Sequence, residues 1–176
     1  MTSPEEIFDI VDDQDRVIGQ APRAEVHARN FKHRAVHVLL FNSRGELLVQ
    51  KRSPGKDTFP GCYDSSASGH LASGEDYDTC AVRELFEELG LDLPSAALQK
   101  CFQIAACPET GWEFVWVYAI RGDYPTVINS DEITSADYWP LASIRTLMAA
   151  QPDLWARPFV RVLEEMEHRG LLTVAV

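Results

Sequence analysis

The sequence predicts one domain of the α/β (α+β) class that spans residues 1–176. Its 176 residues, 45% of them hydrophobic, are enough to bury one full core. Strand patterns lie on both sides of a helix pattern at residues 76 to 89, and two further helix patterns lie near the end of the sequence. Elements in this order are typical of a single mixed domain with no linker.

Five strands and one short helix are predicted before the central helix, from apolar and β-branched runs bounded by turn residues. The strands are assigned to residues 7 to 11, 16 to 20, 33 to 42, 46 to 52 and 62 to 68. The helix is assigned to residues 22 to 28, with Pro22 near its start. The third strand is an almost unbroken apolar run, which is typical of a strand with both faces buried.

Strands and then helices are predicted after the central helix. The strands are assigned to residues 98 to 107, 112 to 121, 125 to 128 and 137 to 139, and the helices to residues 141 to 151 and 155 to 168. Trp112, Phe114 and Trp116 alternate along one strand, where one face could stack a nucleobase, but we expect them in the core. The apolar segment 171 to 176 could add a strand or contact a partner chain.

The net charge of −11 argues against a general nucleic-acid binder, which would carry a basic surface. It also repels a polyphosphate substrate unless metal ions intervene. No apolar run reaches transmembrane length and no leader pattern is present, so we expect a cytoplasmic protein without a membrane partner. We therefore expect the four cysteines to be reduced thiols, and the oligomeric state stays open.

The central helix has recognisable signals at both ends. Ser73 and Asp76 have the spacing of a capping box, and Gly90 stands where a left-handed cap is required. At 100° per residue, one arc of the helix is apolar and is assigned to the core; its members are Ala81, Val82, Leu85, Phe86 and Leu89. Cys80 is expected at the border of the acidic side, as a small structural residue.

Three glutamates, Glu84, Glu87 and Glu88, share the other side of this helix. Like charges at this spacing destabilise a helix by roughly 0.2–0.5 kcal/mol per pair. A solvated acidic face is the ordinary explanation of such a cluster. A divalent cation would offset the repulsion, and Mg²⁺ prefers hard carboxylate oxygens.

Residues 69 to 91 resemble the Nudix box, Gly-x5-Glu-x7-Arg-Glu-U-x-Glu-Glu-x-Gly-U, where U is a bulky aliphatic residue. Every fixed position is matched, by Gly69, Glu75, Arg83, Glu84, Leu85, Glu87, Glu88, Gly90 and Leu91. The resemblance implies the Nudix fold, a mixed β-sheet sandwiched between α-helices. It also implies hydrolysis, by metal-activated water, of a phosphoanhydride bond in a nucleoside di- or triphosphate, or in another nucleoside diphosphate linked to a group X. Mg²⁺ is the implied cofactor, and Mn²⁺ is a possible substitute.

The same resemblance assigns roles to individual residues of the box. Glu84, Glu87 and Glu88 would be the metal ligands, together with the carbonyl of Gly69. Arg83 and Glu75 would orient these carboxylates; the alternative for them is an ordinary surface ion pair.

The proton of the attacking water would pass to one of the box glutamates or to a later glutamate. Glu132 lies in a Glu-aliphatic-x5-Trp pattern similar to the family's post-sheet loop, although a plain acidic turn explains it equally well. Glu113 is a second candidate, less favoured because glutamates on strands commonly face water.

Three basic residues flank the loop before the box and could bind phosphates: Lys51, Arg52 and Lys56. A solvated basic turn is an equally good explanation for the two lysines. The position of Arg52 resembles that of a substrate-contacting arginine in the family.

Beyond the box, the chain resembles the isopentenyl-diphosphate isomerase branch of the Nudix superfamily. Such isomerases use a catalytic cysteine where this chain has Ser68, and a histidine-rich metal site. His33 and His70 match positions of that site, but His27 is one residue from the expected spacing, so ordinary hydrogen-bonded histidines are preferred. We therefore expect an isomerase-like scaffold with hydrolase chemistry; the alternatives are isomerase-like activity and a non-catalytic Nudix-like ligand sensor.

Overall fold

The computed structural model describes residues 5–172, in which nine strands and four α-helices follow one another along the chain. The strands are β1 (Ile7–Val11), β2 (Val17–Pro22), β3 (His33–Phe41), β4 (Leu47–Arg52), β5 (Tyr63–Asp64), β6 (Ala67–His70), β7 (Gln99–Ile104), β8 (Glu113–Arg121) and β9 (Ile133–Trp139). The helices are α1 (Arg23–Ala28), α2 (Tyr77–Leu89), α3 (Leu141–Ala150) and α4 (Arg157–His168). Short 3-10 turns lie at Ser95–Ala97, Pro108–Thr110 and Pro152–Leu154.

Seven of these strands form one mixed sheet with the order β5-β4-β3-β8-β7, in which β6 also pairs with β3 and β9 with β4. β3 and β8 are parallel, and the other neighbours are antiparallel. β3 and β4 pair directly at Phe41 and Leu47 only. Towards the other end of the sheet they separate, with β6 beside β3 and β5 beside β4. The sheet therefore splits between β5 and β6.

Helices cover both faces of this sheet. Leu39 and Phe41 of β3 pack in a core with α3 and α4, whereas Val38 and Leu40 pack in a second core with α2. This arrangement confirms the predicted mixed sheet between helices, and it confirms that β3 is buried on both faces.

The helix α2 begins and ends through local contacts. Asp76 is its N-cap and accepts a hydrogen bond from the Thr79 N–H (2.9 Å), so the prediction that Ser73 caps the helix was wrong. The Ser73 hydroxyl instead donates to Asp9 (2.8 Å). Gly90 has the predicted left-handed conformation, with φ 67°.

The buried side of α2 differs from the predicted arc. Phe86 is 58% exposed, and the fully buried Cys80 takes its place in the core. Compared with the prediction, the buried arc is thus rotated towards Glu84 and Glu88. These two glutamates therefore lie on the side of the helix that faces the sheet.

Two predicted strands differ in the structure. Residues 125 to 128 do not form a strand; the Val127 N–H donates to the Leu89 carbonyl at the end of α2 (2.8 Å), and the N–H of the following Asn129 donates to the Glu88 carbonyl (3.0 Å). The predicted strand 62 to 68 is interrupted at Ser65 and Ser66, whose side chains are buried and hydrogen-bonded.

β1 and β2 form a separate two-stranded ribbon that packs with α1 around Phe8, Ala21 and Val26. Its backbone binds the loop before α2, since Ser73 N–H donates to the Ile7 carbonyl (2.9 Å). The ribbon therefore lies against the end of the main sheet where β6 meets β3.

All four cysteines are free thiols. None of the helices within residues 5–172 is long and apolar enough to cross a membrane. The apolar segment at 171 to 176 extends beyond the described residues.

Candidate active site

A cavity of about 540 Å³ occupies the split between the two halves of the sheet. One end is lined by carboxylates of α2, and the other by the ribbon, α1 and the start of β8. Predicted site residues that line it are Gly69, Arg83, Glu84, Glu87, Glu88, Arg52, Lys56 and Glu132. The structure thus brings most of the predicted site to one place.

Glu84 and Glu88 are buried, with 8% and 3% of their surface exposed, whereas Glu87 is exposed. Burial raises the pKa of Glu84 to about 7 and that of Glu88 to about 8, and the charge of Glu84 adds to the shift of Glu88. A bound cation would therefore favour the joint ionisation of these two buried carboxylates.

Hydrogen bonds hold these carboxylates in place. Glu88 Oε2 accepts from the Ser68 N–H (3.1 Å) and from the Gln50 amide (3.0 Å). Gly69 lies directly below Glu84, and a Cβ atom there would overlap the Glu84 carboxylate. The glycine thus lets the helix approach the strand.

Arg83 links the acidic groups. Its guanidinium donates to both oxygens of Glu75 (2.9 and 2.8 Å), to Glu84 (2.7 Å) and to Glu87 (3.0 Å). It also donates to the His70 carbonyl (3.0 Å). The Glu75 side chain is only 10% exposed, so this pair differs from an ordinary surface ion pair, and its orienting role stays a prediction.

Carboxylate oxygens of three glutamates on adjacent turns, beside the backbone of Gly69, are the donor set that a hard divalent cation prefers. Burial raises the pKa of Glu84 and of Glu88, and a cation bound by these carboxylates would favour their ionised form. The site therefore fits a hard divalent cation.

The predicted basic residues have different surroundings. Lys56 forms an ion pair with Glu132 at the cavity. Arg52 is buried, and its guanidinium donates to Asp64 (3.1 Å) and to the Thr58 carbonyl (3.1 Å). The Lys51 amine lies 5.6 Å from the centre of the Tyr63 ring, and Lys51 does not line the cavity formed by the described residues.

Three histidines meet beside Phe8 of the ribbon, and two of them, His27 and His70, line the cavity there. Ligand atoms of His27, His33 and His70 lie within 4.8 Å of one another. The Nε2 atoms of His27 and His33 are buried and have no hydrogen-bond partner in the described part of the chain. His33 and His70 are hydrogen-bonded as expected, His33 through Nδ1 to the Phe31 carbonyl (2.8 Å) and His70 to Glu113, and α1 with the turn after it brings His27 beside them despite its spacing.

The chemistry of this histidine cluster also suits a metal ion. Burial lowers the pKa of His27 to about 4 and lowers that of His70, so both rings are neutral at neutral pH. Glu113 is buried and accepts from His70 Nε2 (2.9 Å); although burial opposes ionisation, the two neighbouring histidines hold its pKa below the usual range. Neutral imidazoles beside a carboxylate suit a transition metal. The match of His33 and His70 to the histidine-rich site of the isomerase branch was the sequence signal for this cluster.

The fold and the carboxylate site together define a class of phosphoanhydride-cleaving hydrolases that generally use divalent metal ions. The chain belongs to the Nudix family, because residues 31–163 match the NUDIX domain. It is therefore a Nudix hydrolase.

Known proteins similar to this chain include both Nudix hydrolases and an isomerase. An uncharacterized Nudix hydrolase of Nostoc sp. is 39% identical over 149 residues, which cover 84% of this chain and 88% of the relative. An isopentenyl-diphosphate Delta-isomerase 2 of Photorhabdus laumondii is 30% identical over 169 residues, which cover 95% of this chain and 96% of the relative. The crystal structure of DR0079 from Deinococcus radiodurans matches with a TM-score of 0.75 and 30% identity, over 83% of this chain and 90% of that one.

Proposed function

We propose that the protein hydrolyses a phosphoanhydride bond in a nucleoside di- or triphosphate, or in another nucleoside diphosphate linked to a group X, with Mg²⁺ as the preferred ion. The observation that supports this proposal is the pair of buried carboxylates, Glu84 and Glu88, beside Gly69 in a cavity of about 540 Å³. A cavity of this volume is in the range of small-molecule sites.

Glu84, Glu87, Glu88 and the Gly69 carbonyl would hold the metal. When bound, Mg²⁺ supplies neutralisation of the phosphate oxygens and activation of a water molecule. Arg83 keeps the ligand carboxylates oriented through its bonds to Glu84 and Glu87, so little reorganisation is needed on binding.

Lys56 would bind a phosphate of the substrate. Its present partner is Glu132, so a phosphate that competes for the ammonium group leaves the Glu132 carboxylate free. We assign to Glu132 the acceptance of the water's proton, because it borders the cavity and has no other ion-pair partner among residues 5–172. Arg52 stands beside the same cavity, and its charge favours the anionic substrate.

The test is ³¹P NMR of the protein with Mg²⁺ and a mixture of nucleoside di- and triphosphates, nucleotide sugars and dinucleoside polyphosphates. We expect new phosphate, pyrophosphate or nucleoside monophosphate signals, and the parent signal that decays identifies the substrate class. A chelator and the Glu87→Gln variant serve as controls and should abolish turnover. Unchanged spectra with every compound would refute the proposal.

A second candidate is isomerisation of isopentenyl diphosphate, which the histidine cluster and the Photorhabdus relative favour. The cysteine of such isomerases is replaced by Ser68, and a serine is a poor proton donor to an alkene. Proton NMR with isopentenyl diphosphate tests this activity directly. In a hydrolase Ser68→Ala should change turnover little, whereas a dead variant would favour the isomerase.

A further inference from the structure

His37 of β3 is a buried cavity residue with no assigned role. It is only 4% exposed, yet its ring lines the cavity. Its Nδ1 lies 2.8 Å from the Ser65 hydroxyl. Its Nε2 has no hydrogen-bond partner among residues 5–172. One nitrogen of this imidazole is thus held by the protein, and the other is available to a ligand.

The groups behind Ser65 determine which nitrogen carries the proton. The Ser65 hydroxyl lies 3.4 Å from Asp64 Oδ1 and 3.3 Å from the Ala67 carbonyl, two acceptors that can take its hydrogen. Asp64 is buried, is paired with Arg52 (3.1 Å), and has Oδ1 3.9 Å from His37 Nδ1. A negative charge on this side favours the proton on Nδ1, which then donates to Ser65.

The imidazole is also neutral. Burial lowers the pKa of His37 below its usual value, and burial outweighs the opposing charge of Asp64. With Nδ1 protonated, Nε2 carries a lone pair and acts only as an acceptor. The side of the ring that faces the cavity is therefore a fixed hydrogen-bond acceptor.

Such an acceptor selects against phosphate, because phosphate oxygens are acceptors themselves. His37 also lies on the sheet face of Leu39 and Phe41, which packs against α3 and α4, whereas the box helix covers the other face. A diphosphate held by the box would thus direct the rest of the substrate through the split towards His37.

We propose that His37 Nε2 accepts a hydrogen bond from the nucleoside part of the substrate, and that Ser65, Asp64 and Arg52 position the ring for this contact. The inference rests on the proposed nucleotide substrate. The donor is a ribose hydroxyl or an exocyclic amine of the base, and His37 is a specificity residue for it.

Two variants distinguish the role of Nδ1, which contacts Ser65, from the role of Nε2, which would contact the substrate. In His37→Asn the side-chain amide can still donate to Ser65, but nothing stands at the Nε2 position. In His37→Gln the longer side chain can return an oxygen acceptor to the cavity. We measure kcat/KM for ribonucleotides against their 2′-deoxy and 3′-deoxy forms, and for cytidine against uridine nucleotides.

His37→Asn should lower kcat/KM roughly tenfold for the substrate that carries the donor, and much less for its counterpart without the donor. His37→Gln should recover part of this loss. If the variant no longer discriminates a ribonucleotide from its deoxy form, the donor is that hydroxyl group. If it no longer discriminates cytidine from uridine nucleotides, the donor is the exocyclic amine. An equal loss for every substrate would mean a structural role and would overturn the inference.

Binding and spectroscopy make the result independent of turnover. Calorimetry with nucleoside monophosphates and no metal compares wild type with His37→Asn for the same pairs. Discrimination that depends on His37, in a protein that hydrolyses none of the nucleotides, would support this inference and refute the proposed function. Absence of any nucleotide binding would refute both. ¹⁵N NMR should show His37 protonated at Nδ1, and protonation at Nε2 would overturn the inference.

Discussion

Replacing Glu88 by glutamine tests the metal site through stability and through activity. The folded protein holds the pKa of Glu88 at about 8, raised from the usual value of 4.5 mainly by burial. A group whose pKa is raised on folding contributes stability that is fully present below pH 4.5 and is lost as the pH rises through 8. At about 1.4 kcal/mol per pH unit, ionisation of Glu88 costs the metal-free protein roughly 3–5 kcal/mol near pH 9.

Glu88→Gln removes this titration and keeps the shape of the side chain. Its amide oxygen can still accept from the Ser68 N–H and from Gln50. The metal-free variant should therefore be more stable than the wild type by roughly 3–5 kcal/mol near pH 9 and by roughly 1–2 kcal/mol near pH 6, with no difference below pH 4.5. Its turnover with Mg²⁺ should fall by orders of magnitude, because a metal ligand is lost.

Urea unfolding with a chelator at both pH values measures the stability, and phosphate release with Mg²⁺ measures the turnover. Glu87→Gln is the matched control: the Glu87 side chain is 51% exposed, so its turnover should fall without the change in the pH dependence of stability. Near-normal turnover of Glu88→Gln would refute the metal-site assignment. An unchanged pH dependence of stability would refute the reasoning on burial.

Three further predictions concern the same helix and its metal. Asp76→Ala should lower the free energy of unfolding by about 1 kcal/mol, and the melting temperature by about 2–4 °C, because the Thr79 N–H loses its cap; Asp76→Asn should retain most of this stability. Gly69→Ala should lower turnover about 100-fold, because the added methyl displaces the Glu84 carboxylate; wild-type kinetics would contradict this. At about pH 6.5, metal binding should release about one to two protons, since Glu84 and Glu88 bind the ion in their ionised form. Calorimetry in buffers of different ionisation enthalpy would measure this release, and a buffer-independent enthalpy would contradict it.

Sequence patterns predicted the features that depend on local rules. The limits of α2 and the left-handed Gly90 follow from spacing and from backbone sterics within a few residues. The predicted capping box of Ser73 and Asp76 does not form, because Asp9, which is distant in sequence, binds the Ser73 hydroxyl. A periodicity argument likewise cannot tell that Phe86 is exposed, since the sheet decides how far the helix is rotated.

Features that depend on distant partners were the ones missed. Residues 125 to 128 have a strand-like composition, but the carbonyl groups at the end of α2 take their amides. The spacing of His27 argued against a place beside His33 and His70. Spacing alone does not show that α1 and the turn after it bring the three residues together. The burial of Glu113 beside these histidines was equally invisible in a strand pattern.

The ribbon of β1 and β2 and the helix α1 lie before residue 31, where the match to the NUDIX domain begins. Yet Phe8 of the ribbon stacks on His33 and His70, with ring centroids 5.7 and 4.9 Å apart, and so forms a wall of the cavity. The cavity beside the box helix is therefore enclosed in part by residues that lie outside the matched domain.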